Sequence, residues 1–312
     1  MTDTQLKGHL KIFFGYAAGV GKTYAMLNAA LTARDRGVDV IAGYIDSHDR
    51  PQTAALTQQL EQLSALTLNC QGTLLHEFDI DAAIHRHPQL ILIDELAHTN
   101  APGCRHAKRY QDILELLNAG IDVYTTVNVQ NLESLNDVVE SITQITVSER
   151  IPDSIFDNAD QVELVDIEPR ELMERLQAGD VYRELQSRQT LKNFFTVENL
   201  TALREIALRR CADRVNRTTE DVRSKNHRDY HTDEHILVCL SPAPSNGRII
   251  RTAARMAHAF RASFTALFVE TSDFSALNAK DKERLRANSR LAQQLGANIE
   301  TVYGDDVSLQ TV

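Results

Sequence analysis

Apolar runs alternate with helical patterns along the first part of the chain, and this alternation restricts the fold more than any other feature. Leu10–Phe14, Val38–Ile45 and Leu90–Ile93 are mostly apolar at consecutive positions instead of at every second position. Strands with this pattern are buried on both faces, which is typical of parallel sheets covered by helices. We therefore predict an α/β fold in which helices flank a parallel sheet.

The length of the chain predicts two domains, because 312 residues are about twice the usual size of one. Residues 216–234 are polar and charged with little to bury, which is typical of a linker. The first domain would then cover residues 1–215 and the second residues 235–312. The second domain alternates strands and helices again, but only nine residues follow its last strand, Asn298–Tyr303. We therefore expect a smaller, incomplete α/β domain.

The composition argues against several kinds of partner. The chain has 33 Lys and Arg residues against 43 Asp and Glu residues, a net charge of −10, and an acidic chain binds nucleic acid poorly. The four cysteines are scattered without a CxxC pair, which predicts free thiols in a reducing compartment. No run reaches the roughly 18 apolar residues of a membrane helix. We therefore expect a cytoplasmic chain without membrane insertion.

The segment GYAAGVGKT, from Gly15 to Thr23, follows an apolar strand and precedes a helical pattern. This is the context of a P-loop, in which main-chain N–H groups surround the phosphates of a nucleotide. Gly19 and Gly21 allow the backbone to approach closely. Lys22 would bridge the β- and γ-phosphates, and the Thr23 hydroxyl would bind Mg²⁺. The sequence therefore predicts a P-loop NTPase-like domain.

The spacing of this loop departs from the usual P-loop motif. That motif places its first glycine five residues before Gly21, where this chain has Tyr16, and the nearest glycine is Gly15. We expect a loop that is wider or differently turned at its start, and the alternative is a glycine-rich turn that binds nothing. The residues expected to bind the nucleotide are Gly15, Gly19, Val20, Gly21, Lys22, Thr23 and Asn128.

A second part of the predicted site is the segment QLILIDELAHTN, in which an apolar strand ends in Asp94 and Glu95. This order is typical of a Walker B motif, whose first acid holds Mg²⁺. Asp94 and Thr23 are therefore the expected metal ligands. Glu95 is the candidate catalytic residue, which would orient or deprotonate a nucleophile. The alternative is a solvated strand end without a chemical role.

The next strand ends in TTVNVQ, and polar residues at the carboxyl end of a parallel strand point toward the ligand crevice. Asn128 or Gln130 would sense the γ-phosphate, or Asn131 would form a turn and cap a helix, and the pattern does not separate the two. Tyr16 and Tyr24 leave a similar choice between stacking on a base and packing in the core.

Two further polar loops are expected at the same edge of the sheet. Ala97–Arg109 is either a mobile flap that brings Arg105 or Arg109 to the phosphates or a solvated basic loop. Asp46 and His48 follow the second strand, where they either position water or a hydroxyl substrate or are ordinary loop residues.

Four long runs occur in the order LKIFFGYAAGVGKTYAML, LILIDELAHTNAPGCRHAKRYQDI, AGIDVYTTVNVQNLESLNDVV and NLTALREIALRRCADRV. From about Leu6 to Val215 the chain resembles the N-terminal cytoplasmic region of the KdpD family, the osmosensitive potassium-responsive sensor histidine kinases of bacteria. The resemblance implies an ATP-binding regulatory region that uses Mg²⁺, with the atypical loop spacing as a family trait. The nucleotide-site positions that it implies are Gly19, Gly21, Lys22, Thr23 and Asp94.

The resemblance also implies partners and a cellular setting. The partner that responds to the nucleotide state would be a histidine-kinase core, a response regulator or a potassium transporter. Full-length family members are attached to the inner membrane and continue into membrane helices, a phosphoacceptor-histidine helix and a catalytic ATPase domain. These segments do not fit within the 312 residues. We therefore expect a truncated form or a fragment that cannot autophosphorylate alone.

The second domain resembles the universal-stress-protein-like module that follows in that family. Some members bind cyclic di-AMP there through an SxS segment, twenty residues and an FTAxY segment. The corresponding segments here are Ser241–Ala243 and Phe264–Phe268, in which Ala243 replaces a serine and Phe268 a tyrosine. Two polar partners are thereby lost, so we favour a plain α/β module over one that binds cyclic di-AMP.

We expect a nucleotide-dependent regulatory module of potassium-responsive two-component signalling. The γ-phosphate would shift nearby loops between two states that a partner protein reads. The arginine-rich helix Leu200–Arg217 is either a contact surface or a solvated face. One alternative is a P-loop ATPase or phosphotransferase that uses Glu95 as its base, and another is a scaffold with a vestigial nucleotide site. The sequence leaves open whether the chain is an enzyme.

Overall fold

The computed structural model describes residues 7–46, 51–70, 72–177, 194–224, 235–260, 262–271, 274 and 277–304. The chain divides into two compact units. The first consists of Met1–Leu132, Val138–Ile151 and Ile155–Asn216, and the second consists of Glu133–Asp137, Pro152–Ser154 and Arg217–Val312. The second unit therefore includes two short segments from within the sequence of the first.

The first unit is built on a six-stranded parallel sheet in the order β3-β2-β6-β7-β1-β8. Its strands are β1 (Leu10–Gly15), β2 (Val40–Tyr44), β3 (Glu61–Gln62), β6 (Leu90–Ile93), β7 (Asp122–Asn128) and β8 (Gln161–Leu164). Its helices are α1 (Lys22–Asp35), α2 (Pro51–Thr57), α3 (Ile80–Arg86), α4 (Arg109–Asn118), α5 (Asn136–Thr143), α6 (Asp153–Asp157), α7 (Pro169–Gln177) and α8 (Val197–Ser224). Helices α5 and α6 begin, and α8 ends, in segments of the second unit. The predicted α/β fold with a parallel sheet and flanking helices is confirmed.

The middle strands are buried on both faces, as their consecutive apolar residues predict. Ile91 and Leu92 are neighbours in β6, and neither side chain is exposed to solvent. Leu92, Phe13 of β1 and Met26 of α1 belong to the same apolar cluster. Burying each such side chain contributes roughly 1.5–3 kcal/mol. This cluster therefore holds α1, and with it the glycine-rich loop before α1, against the sheet.

An antiparallel hairpin lies between β3 and α3 and is an addition to the predicted elements. Its strands are β4 (Leu66–Cys70) and β5 (Thr73–Glu77). The side chains of β4 alternate between exposed and half-buried positions, so the strand lacks the continuous apolar run of the main sheet. The last hairpin residue, Glu77, is nevertheless buried, and it reaches the candidate site described below.

The second unit contains a three-stranded parallel sheet in the order β11-β10-β9 with two helices. Its elements are β9 (His235–Cys239), α9 (Asn246–Phe260), β10 (Ser263–Glu270), α10 (Ala279–Gln294) and β11 (Asn298–Tyr303). Val238, Ile250 and Ala266 belong to its apolar core, which joins two of the strands to α9. In the described residues of the chain, no helix combines the length and apolar content that crossing a membrane requires.

Helix α8 differs from the expectations in two ways. It continues to Ser224, so residues 216–224 of the expected linker are helical, and residues 225–234 lie outside the described part of the chain. Its arginines also make contacts inside the first unit. Arg204 forms an ion pair with Asp166, and Arg210 forms one with Asp157. Arg204 and Arg210 are therefore not simply solvated, and a contact surface on this helix stays a prediction.

Candidate functional site

The glycine-rich loop connects the end of β1 to the start of α1. Gly15 ends β1 beside Asn128 of β7 in the parallel register, and Gly21 is the N-cap of α1. Gly19 has a φ of 91° and Gly21 a φ of 102°. Such positive φ values favour glycine, because the Cβ atom of other residues makes this backbone conformation unfavourable. The first N–H groups of α1 therefore begin at the carboxyl edge of the sheet, and helix N-termini attract anions such as phosphate.

The structure gives a steric reason for the glycine at position 15. A Cβ atom added to Gly15 would lie 2.6 Å from Cγ2 of Val20 and 3.1 Å from Cδ of Lys22. The loop thus closes directly over Gly15, one residue before the usual motif position. Val20 is buried, so its side chain packs inward and only its main chain is suited to bind a ligand.

Replacing Gly15 with alanine is expected to destabilise the chain by about 1–3 kcal/mol, because the new methyl group overpacks the loop. The steric cause is tested by making the same change in a Val20→Ala background, where Cγ2 is absent. The penalty of Gly15→Ala, measured by urea unfolding, should be smaller in that background. An equal penalty in both backgrounds would show that Val20 is not the obstacle.

Lys22 lies across the loop that precedes it. Its side chain is only 8% exposed, and Nζ donates a hydrogen bond to the carbonyl of Ala17 at 3.0 Å. The ammonium group therefore lies next to the loop backbone, which is the arrangement that the predicted phosphate role needs.

Tyr16 is buried with its hydroxyl donating to the carbonyl of Ile167 at 3.0 Å, so it packs in the core. Tyr24 is 47% exposed.

The structure brings the two expected metal ligands together. Thr23 Oγ1 donates to Asp94 Oδ2 at 2.8 Å. The other carboxylate oxygen, Asp94 Oδ1, accepts from the Thr126 hydroxyl and from the Glu95 N–H, the latter at 3.1 Å. A hydroxyl and a carboxylate are hard oxygen donors of the kind that Mg²⁺ prefers. The donor chemistry of this pair therefore fits Mg²⁺.

Burial raises the pKa of Asp94 above its ordinary value of 3.8, and the nearby charge of Glu95 acts in the same direction. The hydrogen bonds from Thr126 and Thr23 and the charge of Lys22 oppose this shift. Asp94 is only 2% exposed, so its carboxylate is costly to ionise without a cation beside it. A divalent ion would compensate this cost.

The Asp94→Asn variant is expected to unfold at a higher temperature than the wild-type chain in the absence of metal. The pKa of Asp94 is raised in the folded state, so ionisation opposes folding and stability falls as pH rises above 3.8. Asparagine keeps one acceptor oxygen for Thr126 and Glu95 without the charge, and its amide group can donate to the Thr23 hydroxyl in place of the Oδ2 contact. The gap in melting temperature should therefore widen between pH 4 and pH 7. A gap independent of pH would contradict this explanation.

Glu95 adopts a left-handed backbone conformation with a φ of 60°, which is uncommon outside glycine. Its N–H donates to Asp94 Oδ1 and also to Thr126 Oγ1 at 3.2 Å. Its side chain is half-buried. The candidate catalytic residue is thus placed next to the metal ligand, at the end of β6. Thr126, on the neighbouring strand β7, also belongs to the site, because its hydroxyl contacts both Asp94 and the Glu95 N–H. The sequence pattern places Thr126 at the sheet edge but does not predict these contacts.

The structure shows how the polar residues that follow β7 are used. The alternatives were that Asn128 or Gln130 senses the γ-phosphate and that Asn131 forms a turn. Asn131 Oδ1 accepts from the Asn128 N–H at 3.2 Å, and Asn131 Nδ2 donates to the Glu149 carbonyl at 2.8 Å. Asn131 therefore stabilises the turn. Asn128 lies beside Gly15 at the sheet edge, and Gln130 Oε1 is buried without a hydrogen-bond partner among the described residues.

Neither arginine of the polar loop reaches toward the glycine-rich loop. Arg105 forms ion pairs with Asp81 and Glu115. Arg109 is completely buried and donates to the Asp94 carbonyl at 3.2 Å and to Glu77 Oε2 at 2.9 Å. The buried Arg109 is therefore not part of a solvated basic loop, and a phosphate role for either arginine stays a prediction. His48 lies outside the described residues, and Asp46 is half-buried after β2.

The fold and the site define a mixed α/β protein with a six-stranded parallel sheet, consistent with a P-loop-like fold. The chain belongs to the KdpD sensor-domain family. Residues 6–215 match the family model described as "KdpD: Osmosensitive K+ channel His kinase sensor domain".

Known relatives share this similarity over nearly the whole chain. The sensor protein KdpD of Clostridium acetobutylicum is 52% identical over 308 residues, which are 98% of this chain and 34% of that protein. For the sensor protein KdpD of Escherichia coli K12 the identity is 47% over 298 residues, or 95% of this chain and 33% of that protein. The sensor protein KdpD of Mycobacterium tuberculosis H37Rv is 44% identical over 307 residues, which are 97% of this chain and 35% of that protein. The chain thus spans about a third of the length of these relatives.

Proposed function

We propose that the chain is the ATP-binding regulatory region of a KdpD-type sensor kinase in potassium or osmotic two-component signalling. The observation that supports nucleotide binding is the contact between Thr23 and Asp94 beside the loop that Lys22 closes. The printed description of the matching family, an osmosensitive sensor domain, supports the signalling role. We place the region in the cytoplasm, where its partner would be a histidine-kinase core, a response regulator or a potassium transporter.

The residues of the site have separate roles in this proposal. Lys22 would exchange its hydrogen bond to the Ala17 carbonyl for phosphate oxygens, and the N–H groups around Gly19 and Gly21 would contact the same oxygens. Thr23 and Asp94 would hold Mg²⁺, which neutralises phosphate charge when bound. The γ-phosphate would then change the loops at the sheet edge, and a partner would read that change.

Calorimetric titration of the full chain with ATP, ADP, GTP and cyclic di-AMP, each with Mg²⁺, tests the proposal. We expect ATP to bind at one site, more tightly than ADP because of its γ-phosphate, and cyclic di-AMP not to bind. The affinity for ATP should fall when Mg²⁺ is removed. If none of the four nucleotides binds, the proposed function is wrong and the site is vestigial.

A second candidate function is ATP hydrolysis or phosphotransfer to a protein. The conformation of Glu95 favours it, because the carboxylate follows the metal ligand directly and its backbone is fixed by two hydrogen bonds. Steady ATP turnover that disappears in Glu95→Gln, with ATP binding unchanged, would support an enzyme. Binding without turnover in the wild-type chain would leave the regulatory role alone.

For the second unit we propose a universal-stress-protein-like module without a cyclic dinucleotide site. Its loop after β9 is occupied by protein contacts, since Asn288 Nδ2 donates to the Ser241 carbonyl at 2.8 Å and Arg284 donates to the Pro242 carbonyl at 2.9 Å. Ala243 and Phe268 offer no polar side chain in place of the expected serine and tyrosine hydroxyls. The cyclic di-AMP titration above tests this point directly.

A further inference from the structure

Arg109 is a fully buried cation whose contacts converge on the acidic end of β6. Its guanidinium donates through Nη1 to the Asp94 carbonyl and through Nη2 to Glu77 Oε2. It also lies 4.1 Å from the ring centroid of Tyr44, whose carbonyl accepts from the Asp94 N–H at 2.8 Å. A buried charge is costly unless it is paired and hydrogen-bonded. Arg109 can therefore be buried at this position only because these contacts pair its charge.

The peptide group between Asp94 and Glu95 is held on both sides. Its carbonyl accepts from Arg109, and its N–H donates to Asp94 Oδ1 and to the Thr126 hydroxyl. The same peptide precedes the left-handed conformation of Glu95, which costs free energy and persists only when surrounding contacts impose it. Rotation of this peptide would remove the N–H from Oδ1. The carboxylate would then lose one of the three hydrogen bonds that direct Oδ2 toward Thr23.

Glu77 fixes the guanidinium from the opposite side. Its Oε1 accepts from the Ala101 N–H at 2.9 Å and from His98 at 3.1 Å, while Oε2 binds Arg109. Burial is the largest single effect on Glu77 and raises its pKa. The contacts with His98, Ala101 and Arg109 together outweigh burial, so the pKa of Glu77 lies below its ordinary value. The carboxylate is thus held in place by the polar loop and cannot follow a displaced partner.

We propose that Arg109 is a positioning residue for the metal-binding carboxylate of Asp94. It holds the 94–95 peptide in the orientation that directs Asp94 Oδ2 toward Thr23, and these two residues would hold Mg²⁺. Loss of a group that orients a metal ligand typically lowers metal affinity by about 10–100-fold. The planar guanidinium supplies two donors in a fixed geometry, which the single ammonium of lysine does not reproduce. This inference rests on the proposed nucleotide function.

The Arg109→Lys variant of the full chain tests the inference without nucleotide. Lysine keeps the buried charge beside Glu77 but loses the fixed pair of donors. Hydrogen–deuterium exchange should become faster at the amides of Glu95 and Leu96, while the amides of α1 keep the wild-type rate. The matched control is Arg105→Lys, in the same loop but at the surface, which should leave exchange at Glu95 unchanged.

The second readout is the contribution of Mg²⁺ to ATP affinity. In Arg109→Lys this contribution should fall about 10-fold, as expected when a group that orients a metal ligand is lost. ATP affinity without Mg²⁺ should stay near the wild-type value. Equal losses with and without Mg²⁺, or faster exchange throughout the first unit, would make Arg109 a purely structural residue. If the wild-type chain binds no ATP, the proposed function fails, and unchanged exchange at Glu95 would separately overturn the positioning role.

Discussion

The Lys22→Met variant is expected to bind Mg·ATP about 100-fold more weakly than the wild-type chain, because it loses a charge-assisted contact with the phosphates. Methionine keeps an unbranched stem at the position where the lysine Cδ approaches Gly15. The buried packing is therefore retained and the ammonium group alone is removed. Calorimetry with ATP and Mg²⁺ measures the change.

The matched control for this variant is Lys280→Met, which removes an exposed lysine of the second unit. It has the same effect on net charge, so a general electrostatic effect on ATP binding would be equal in both variants. We expect wild-type affinity in Lys280→Met. Wild-type affinity in Lys22→Met as well would remove Lys22 from the nucleotide site.

Arg109→Met is expected to lower the free energy of unfolding by about 3–5 kcal/mol, since the buried Glu77 carboxylate loses its arginine partner. Both members of this ion pair are buried, with side-chain exposures of 0% and 7%. Surface pairs such as Arg105 with Asp81 are worth at most about 1 kcal/mol by comparison. Urea unfolding followed by circular dichroism measures the difference.

The double variant Arg109→Met with Glu77→Gln identifies the cause of that loss. Glutamine keeps an oxygen that can accept from the Ala101 N–H but carries no charge. The double variant should therefore be more stable than the sum of the two single losses predicts. Strict additivity, or a loss below about 1 kcal/mol in Arg109→Met, would show that the pair is not the stabilising feature that its burial indicates.

The pairing of Thr23 with Asp94 could be predicted from the sequence, because both follow apolar strands and parallel strands end at the same edge of a sheet. The parallel sheet itself was predictable for a related reason. Runs such as Leu90–Ile93 are apolar at every position, so only a fold that covers both faces of the strand satisfies them.

The environment of Arg109 could not be predicted in the same way. Its partner Glu77 lies 32 residues earlier, at the end of a hairpin without a strong apolar pattern. An arginine in a loop rich in polar residues is usually solvated, and burial depends on tertiary contacts that local patterns do not contain. The end of α8 was missed for a related reason, because the polar composition of residues 216–224 indicates a linker while the structure continues the helix there.

A crystal structure of the chain with Mg²⁺ and a non-hydrolysable ATP analogue tests the central claim most directly. The proposal predicts phosphate density against the main chain of Gly15–Thr23, with the Lys22 ammonium moved from the Ala17 carbonyl to phosphate oxygens and Mg²⁺ beside Thr23 and Asp94. An analogue bound elsewhere, or a glycine-rich loop that stays closed by Lys22 at saturating analogue, would contradict it.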